Sequence, residues 1–150
     1  MTKQIKFNQA ITVGGQQPSA EELRKLKDEG FRAIVNLRAE GEENQSMSPQ
    51  EEGKRVRELG MEYVNIPVTM DSISEEKVDT FRQRLAELPK PVFVHCASGK
   101  RSGAFTMMHV AVNEKMSGEQ AMQKAQEMGF ECDVPELEAF VKSYIDKRVG

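Results

Sequence analysis

A cysteine and an arginine separated by four residues, Cys96 and Arg101 in the stretch VFVHCASGKRSGAF (92–105), are the first groups in this sequence that could do chemistry. A thiolate is a strong nucleophile. A guanidinium is a planar fork that holds two oxygens of a tetrahedral anion at once, which the point charge of Lys does less well. The residues between them, Ala97, Ser98, Gly99 and Lys100, are small or flexible enough to curl. A helix beginning near Ser102 would point free backbone N–H groups into that curl, so the segment is expected to cradle a phosphate or sulfate-like anion. The same positive surroundings favour thiolate over thiol and mark Cys96 as a nucleophile. The plain alternative is an inert cysteine at a strand end followed by a solvated basic turn. The order strand, Cys, Gly, Arg, helix argues against it.

The elements that must position this loop are punctuated clearly. AITVGG (10–15) reads as a short strand ended by glycines, and Ser19 with Glu22 forms a capping box for a helix that carries Leu23 and Leu26 and stops at Gly30. RAIVNLR (32–38) is a β-branched apolar run of strand length. After the acidic loop with Glu40, Glu42 and Glu43, Ser48 and Pro49 open a second helix to Leu59, and MEYVNIPV (61–68) is a third strand. A helix from Ser74 to Leu88 with Val78, Phe81 and Leu85 on one face leads to PVFVHC, a fourth strand apolar enough to be buried on both faces. From Gly103 onwards only helices follow: one to Lys115, one from Ser117 to Met128, and one opened by Asp133 and Pro135 with Leu137, Phe140, Val141, Tyr144 and Ile145 as its stripe. This order predicts a single α/β domain over 1–150, with a central, mostly parallel four-stranded sheet flanked by helices. Ligands of such sheets bind beyond the carboxyl ends of the strands, which is where Cys96 lies.

The loop VHCASGKRSGA, together with GFRAIVNLR, GMEYVNIPV and VFVHC, resembles the cysteine-dependent protein phosphatases, in particular their dual-specificity branch, over about residues 10–145. With its opening ITVGGQQPSAEELRKLKDEGF, the chain is most similar to the small bacterial phosphatase-like domain also found fused to β-lactamase-like hydrolases. The resemblance implies a phosphoric monoester hydrolase, acting on a phosphorylated protein or a small-molecule phosphate monoester without metal or cofactor. Cys96 would attack phosphorus and become a phosphocysteine. Ala97, Ser98, Gly99, Lys100, Arg101 and Ser102 would hold the phosphate, and Ser102 would assist release of the thiolate. Asp71, in the loop after the third strand, would protonate the leaving oxygen. Turning the chain into the helix near Ser74 is an equally ordinary task for that aspartate. His95, which precedes the nucleophile as in the family, would tune the loop through a hydrogen bond rather than act as a base, and a merely packed histidine is an equally ordinary reading.

The phosphatase loop usually has five residues between Cys and Arg, whereas this one has four. The pattern Cys-x-Ser-Gly-x-Arg-Ser also resembles the active loop of rhodanese sulfurtransferases, which carry a persulfide on the cysteine. A third possibility is a non-catalytic module that binds anions.

Other features narrow the field. A net charge of −3, with basic residues scattered among acidic ones, does not suggest nucleic acid, and no apolar run approaches the span of a membrane helix. The start MTKQIKFNQA lacks a signal-peptide core, so a cytoplasmic location is expected. Two cysteines and two histidines, far apart in sequence, give little support to a zinc site, and Cys132 reads as a half-buried packing residue. Arg38 ends the second strand, where it could add positive field at the same sheet edge or pair with the acidic loop. Asp79 and His109 read as ordinary helix residues.

Overall fold

The computed structural model describes residues 4–15, 17–39, 41, 45, 47–96, 99–128 and 135–149. In chain order the elements are β1 (Gln4–Lys6), β2 (Ile11–Gly14), α1 (Ala20–Asp28), β3 (Ala33–Asn36), α2 (Pro49–Glu58), β4 (Glu62–Asn65), α3 (Glu75–Glu87), β5 (Val92–His95), α4 (Lys100–Asn113), α5 (Gly118–Glu127) and α6 (Pro135–Val149). The sheet runs β1-β2-β5-β3-β4. β5 lies between β2 and β3, parallel to both, and β4 is parallel to β3. The strand that delivers Cys96 is therefore central.

The sheet has five strands, one more than the sequence suggested. The addition, β1, is antiparallel to β2 at the edge. Its segment QIK has no apolar run to betray it, with the two ends exposed and only Ile5 half-buried. It is held by pairing with β2 and by Ile5, which packs against the larger core cluster.

Alternation along the central strands sorts the core into two layers. Ala33, Val35, Val92 and Val94 face a large cluster with Phe81 and Leu85 of α3, Phe105 and Met108 of α4, and Val141 and Tyr144 of α6. Ile34 and Phe93 face the opposite way, against Leu23 and Leu26 of α1 and Val56 of α2. Each fully buried Val, Leu, Ile, Phe or Met among these contributes about 1.5–3 kcal/mol of hydrophobic stabilisation before the entropy of ordering is set against it. The ring of Phe93 occupies the space that a Cβ at Gly14 would need, 2.3 Å from its Cζ, so the bare backbone of β2 is what lets that layer close. Among the described residues, no helix is long and apolar enough to cross a membrane.

Helix starts follow the serines. Ser19 makes its capping box with Glu22, and Ser48, Ser74 and Ser117 each accept a hydrogen bond from a first-turn N–H. Among the described helix starts the exception is α4, which starts at Lys100, before the expected Gly103. Its N-cap is Gly99 in the left-handed region with φ +91°, and no side chain caps it. Only glycine takes that turn without strain, and it reverses the chain soon enough to place Arg101 and Ser102 within the first helical turn.

Candidate active site

Cys96 follows the last residue of β5 and is buried at 1% exposure, its side chain within the larger core cluster. Among the described residues, its Sγ is met by three groups from the start of α4. The Gly99 N–H donates to it at 3.2 Å, the Ser102 N–H at 3.4 Å, and the Ser102 hydroxyl lies 3.4 Å away. Donors converging on one sulfur at a helix N-terminus stabilise negative charge there. Gly99 also packs close to Gly15, whose Cα is 3.4 Å from where a Gly99 Cβ would sit, so the end of β2 forms one wall of the cradle.

Arg101 is buried at 8% exposure. Its Nη1 donates to the carbonyl oxygen of Val68 at 2.6 Å, which joins the helix start to the segment following β4. That segment continues into a short 3-10 turn, Met70–Ser72, which presents Asp71 to solvent. The capping duty that Asp71 could have served is taken by serines. Ser72 Oγ accepts from the Thr69 N–H at 2.9 Å, and Ser74 Oγ accepts from the Lys77 N–H at 3.2 Å. Among the described residues, the Asp71 carboxylate has no hydrogen-bond partner. Ala97, Ser98, Cys132, Asp133 and the acidic residues Glu40, Glu42 and Glu43 lie outside the described residues.

Behind the cysteine, on the other face of the sheet, is a buried polar chain that the sequence did not reveal. His95 Nε2 and Glu52 Oε2 of α2 are 2.6 Å apart, and neither side chain is exposed. Gln17 Nε2 donates to Glu52 Oε1 at 2.9 Å and to the Met47 carbonyl at 3.1 Å. Arg38 Nη1 donates to Gln17 Oε1 at 3.0 Å. Arg38 thus points inward at 2% exposure, a polar anchor beneath the loops. Glu52 lies in the acidic first half of an amphipathic helix, where a glutamate reads as a surface residue. The only cue was that it falls four residues before the buried Val56. Nearby, burial pushes the Tyr63 phenol up, and the charge of Glu52 adds to the effect.

The remaining polar candidates are drawn elsewhere. Asp79 accepts from the Tyr144 hydroxyl at 2.5 Å and from Arg148 Nη2 at 3.0 Å, fastening α6 to α3. Burial would raise its carboxyl, but the bonds to Tyr144 and Arg148 outweigh this and hold it below the usual range. His109 packs edge-on to Phe81 in the helical layer. Burial, with Arg82 and Lys90 nearby, lowers its value to about 4.

Comparison with known proteins agrees with this architecture. The family model described as "DSP-PTPase phosphatase fused to NAD+ Kinase" matches residues 2–143. A protein of Agrobacterium fabrum named Beta-lactamase hydrolase-like protein is 35% identical over 100 residues, 67% of this chain and 23% of the relative. A protein of the same name from Xylella fastidiosa is 30% identical over 127 residues, 85% of this chain and 28% of the relative. The chain thus spans about a quarter of the length of these curated relatives. Among solved structures, a DUF442 protein from Shewanella putrefaciens CN-32 superposes with a TM-score of 0.78 at 25% identity, covering 98% of this chain and 90% of that one. Pseudomonas aeruginosa TpbA, solved as a Cys-to-Ser variant in complex with pTyr, superposes with a TM-score of 0.74 at 15% identity, covering 97% and 89%. The match across nearly the whole chain shows that it belongs to the DSP-PTPase phosphatases, enzymes of the cysteine-dependent phosphatase type.

Proposed function

We propose that the chain hydrolyses phosphate monoesters through a covalent intermediate on Cys96. The observation that carries this is the placement of Cys96 Sγ beneath the Gly99 and Ser102 N–H groups, with the Ser102 hydroxyl beside it. The thiolate attacks phosphorus as the bond to the leaving oxygen breaks, and Asp71 gives that oxygen its proton. Arg101 and the amides of residues 97–102 hold the three equatorial oxygens. Water then attacks the phosphocysteine while the Asp71 carboxylate takes its proton. The S–P bond breaks, and the Ser102 hydroxyl donates to the departing thiolate. His95 supports the strand end from below.

The substrate class is a phosphorylated protein or a small-molecule phosphate monoester. The pTyr complex of TpbA, a protein of like fold, supports a phosphorylated side chain as one such substrate. Hydrolysis of p-nitrophenyl phosphate tests the reading. Turnover should be measurable in the parent chain and absent in Cys96→Ser, and undiminished turnover in that variant would refute it.

A further inference from the structure

We propose that Glu52 is a positioning residue for the cysteine loop, acting through His95, and that Gln17 and Arg38 fix its polarity. The inference rests on the phosphatase reading above. The bond directions can be worked out from Arg38, which has only donors to offer. The oxygen of Gln17 therefore faces Arg38, and its NH2 group faces Glu52 Oε1. That oxygen acts as acceptor, which leaves Oε2 for His95 Nε2 at 2.6 Å. Two groups with no exposed side-chain surface at that distance share a proton. Whichever side holds it, the imidazole is tied to Glu52 by a short buried hydrogen bond. The remaining ring atom, His95 Nδ1, is buried and has no hydrogen-bond partner among the described residues. The ring is consequently held from the Glu52 side.

The consequence for Cys96 follows from chain geometry. His95 and Cys96 are adjacent, so their side chains leave the strand on opposite faces. Pinning the imidazole to α2 fixes the peptide unit between them and hence the direction of Sγ toward Gly99 and Ser102. The Glu52 contact also fixes Nε2 as the ring nitrogen that faces α2. The other polar groups on that face are the Tyr63 hydroxyl, bonded to Asn36 at 3.0 Å, and Arg38. A carboxylate that orients a histidine in this way sets both its tautomer and its angle, and loss of such an orienting partner reduces activity on the order of 10–100-fold.

Glu52→Gln keeps the shape but turns an acceptor into an amide that can present N–H to His95 Nε2. The expected result is a fall in kcat for p-nitrophenyl phosphate of about tenfold or more. The KM and the inhibition constant for inorganic phosphate should stay near wild type, because neither Glu52 nor His95 is among the groups proposed to hold the anion. Alkylation of Cys96 by iodoacetamide at neutral pH, followed on the Cys96 peptide by mass spectrometry, should slow in parallel. Glu52→Asp, which keeps the charge at shorter reach, should recover part of both rates, and His95→Asn combined with Glu52→Gln should cost little more than either alone. If Glu52→Gln fails to fold, Glu52→Asp and His95→Asn are read on the same scales, each predicted to slow alkylation. Unchanged or faster alkylation and kcat in the folded variants would overturn the role of Glu52 while leaving the phosphatase reading intact. Hydrolysis that survives Cys96→Ser in the parent chain would instead remove the reading on which the inference rests.

Discussion

Arg101 donates from Nη1 to the carbonyl oxygen of Val68 across 2.6 Å, so the residue at the start of α4 and the segment leading to Asp71 are fastened to each other. One guanidinium thereby serves two loops. In the proposed reaction the guanidinium also addresses the anion, and its bond to Val68 ties it to the chain that leads to Asp71. Arg101→Lys keeps a positive charge but loses the fork. Loss of kcat on the order of 10²–10³ is expected in steady-state hydrolysis of p-nitrophenyl phosphate. A loss below threefold would argue that the fork is not used.

Asp71 is exposed, and the capping work around it is done by Ser72 and Ser74. In the proposed role of general acid it would matter in proportion to how poor the leaving group is. Asp71→Asn should slow hydrolysis of phenyl phosphate, whose leaving group needs a proton, far more than that of p-nitrophenyl phosphate. The ratio of the two kcat/KM values is the measurement, and an unchanged ratio would assign the proton to another group.

Much of this arrangement was legible because each element carries its own punctuation. The capping boxes at Ser19 and Ser117 and the apolar run ending at Cys96 produced the expected helices and central strand. Cys96 and Ser102 meet because they are near neighbours in sequence. Two things stayed hidden for physical reasons. β1 is too short and too polar to show a pattern, since only pairing with β2 makes it a strand. Glu52 and Gln17 are ordinary polar residues locally, and only the long-range packing of α2 beneath β5 encloses them. The start of α4 was placed late because a left-handed Gly99 acts as the cap, and a backbone cap leaves no side-chain signature.

Gly99 provides a separate test of the cradle. At φ +91° an L side chain is strained, and its Cβ would also approach Gly15 Cα to 3.4 Å. Gly99→Ala should destabilise the fold by about 1–2 kcal/mol in urea unfolding. It should also lower kcat by displacing the N–H that faces Cys96 Sγ. Wild-type values for both would mean that the loop accommodates the substitution elsewhere.

His109 predicts a pH dependence of stability unrelated to the site. Asn113 Oδ1 accepts from Arg82 Nη2 at 3.1 Å, so Asn113 Nδ2 is left to donate to His109 Nε2 at 3.2 Å. A second proton on the ring would place two donors face to face. Burial first, then Arg82 and Lys90, lower His109 from 6.5 to about 4. Between those values the unfolded chain binds a proton that the folded chain does not. The contribution of this group is therefore complete above about pH 6.5 and is lost as pH falls toward about 4. Urea midpoints across that window should decline in the parent chain and decline less in His109→Gln, and equal slopes would contradict the assignment.

The central claim is the covalent step on Cys96, and rapid acid quench of the Asp71→Asn variant during turnover of p-nitrophenyl phosphate tests it most directly. With water activation slowed, mass spectrometry of the Cys96 peptide should show an added phosphoryl group that disappears as substrate is exhausted. Turnover without any such adduct, or an added sulfur on Cys96 that dithiothreitol removes, would contradict the phosphocysteine mechanism.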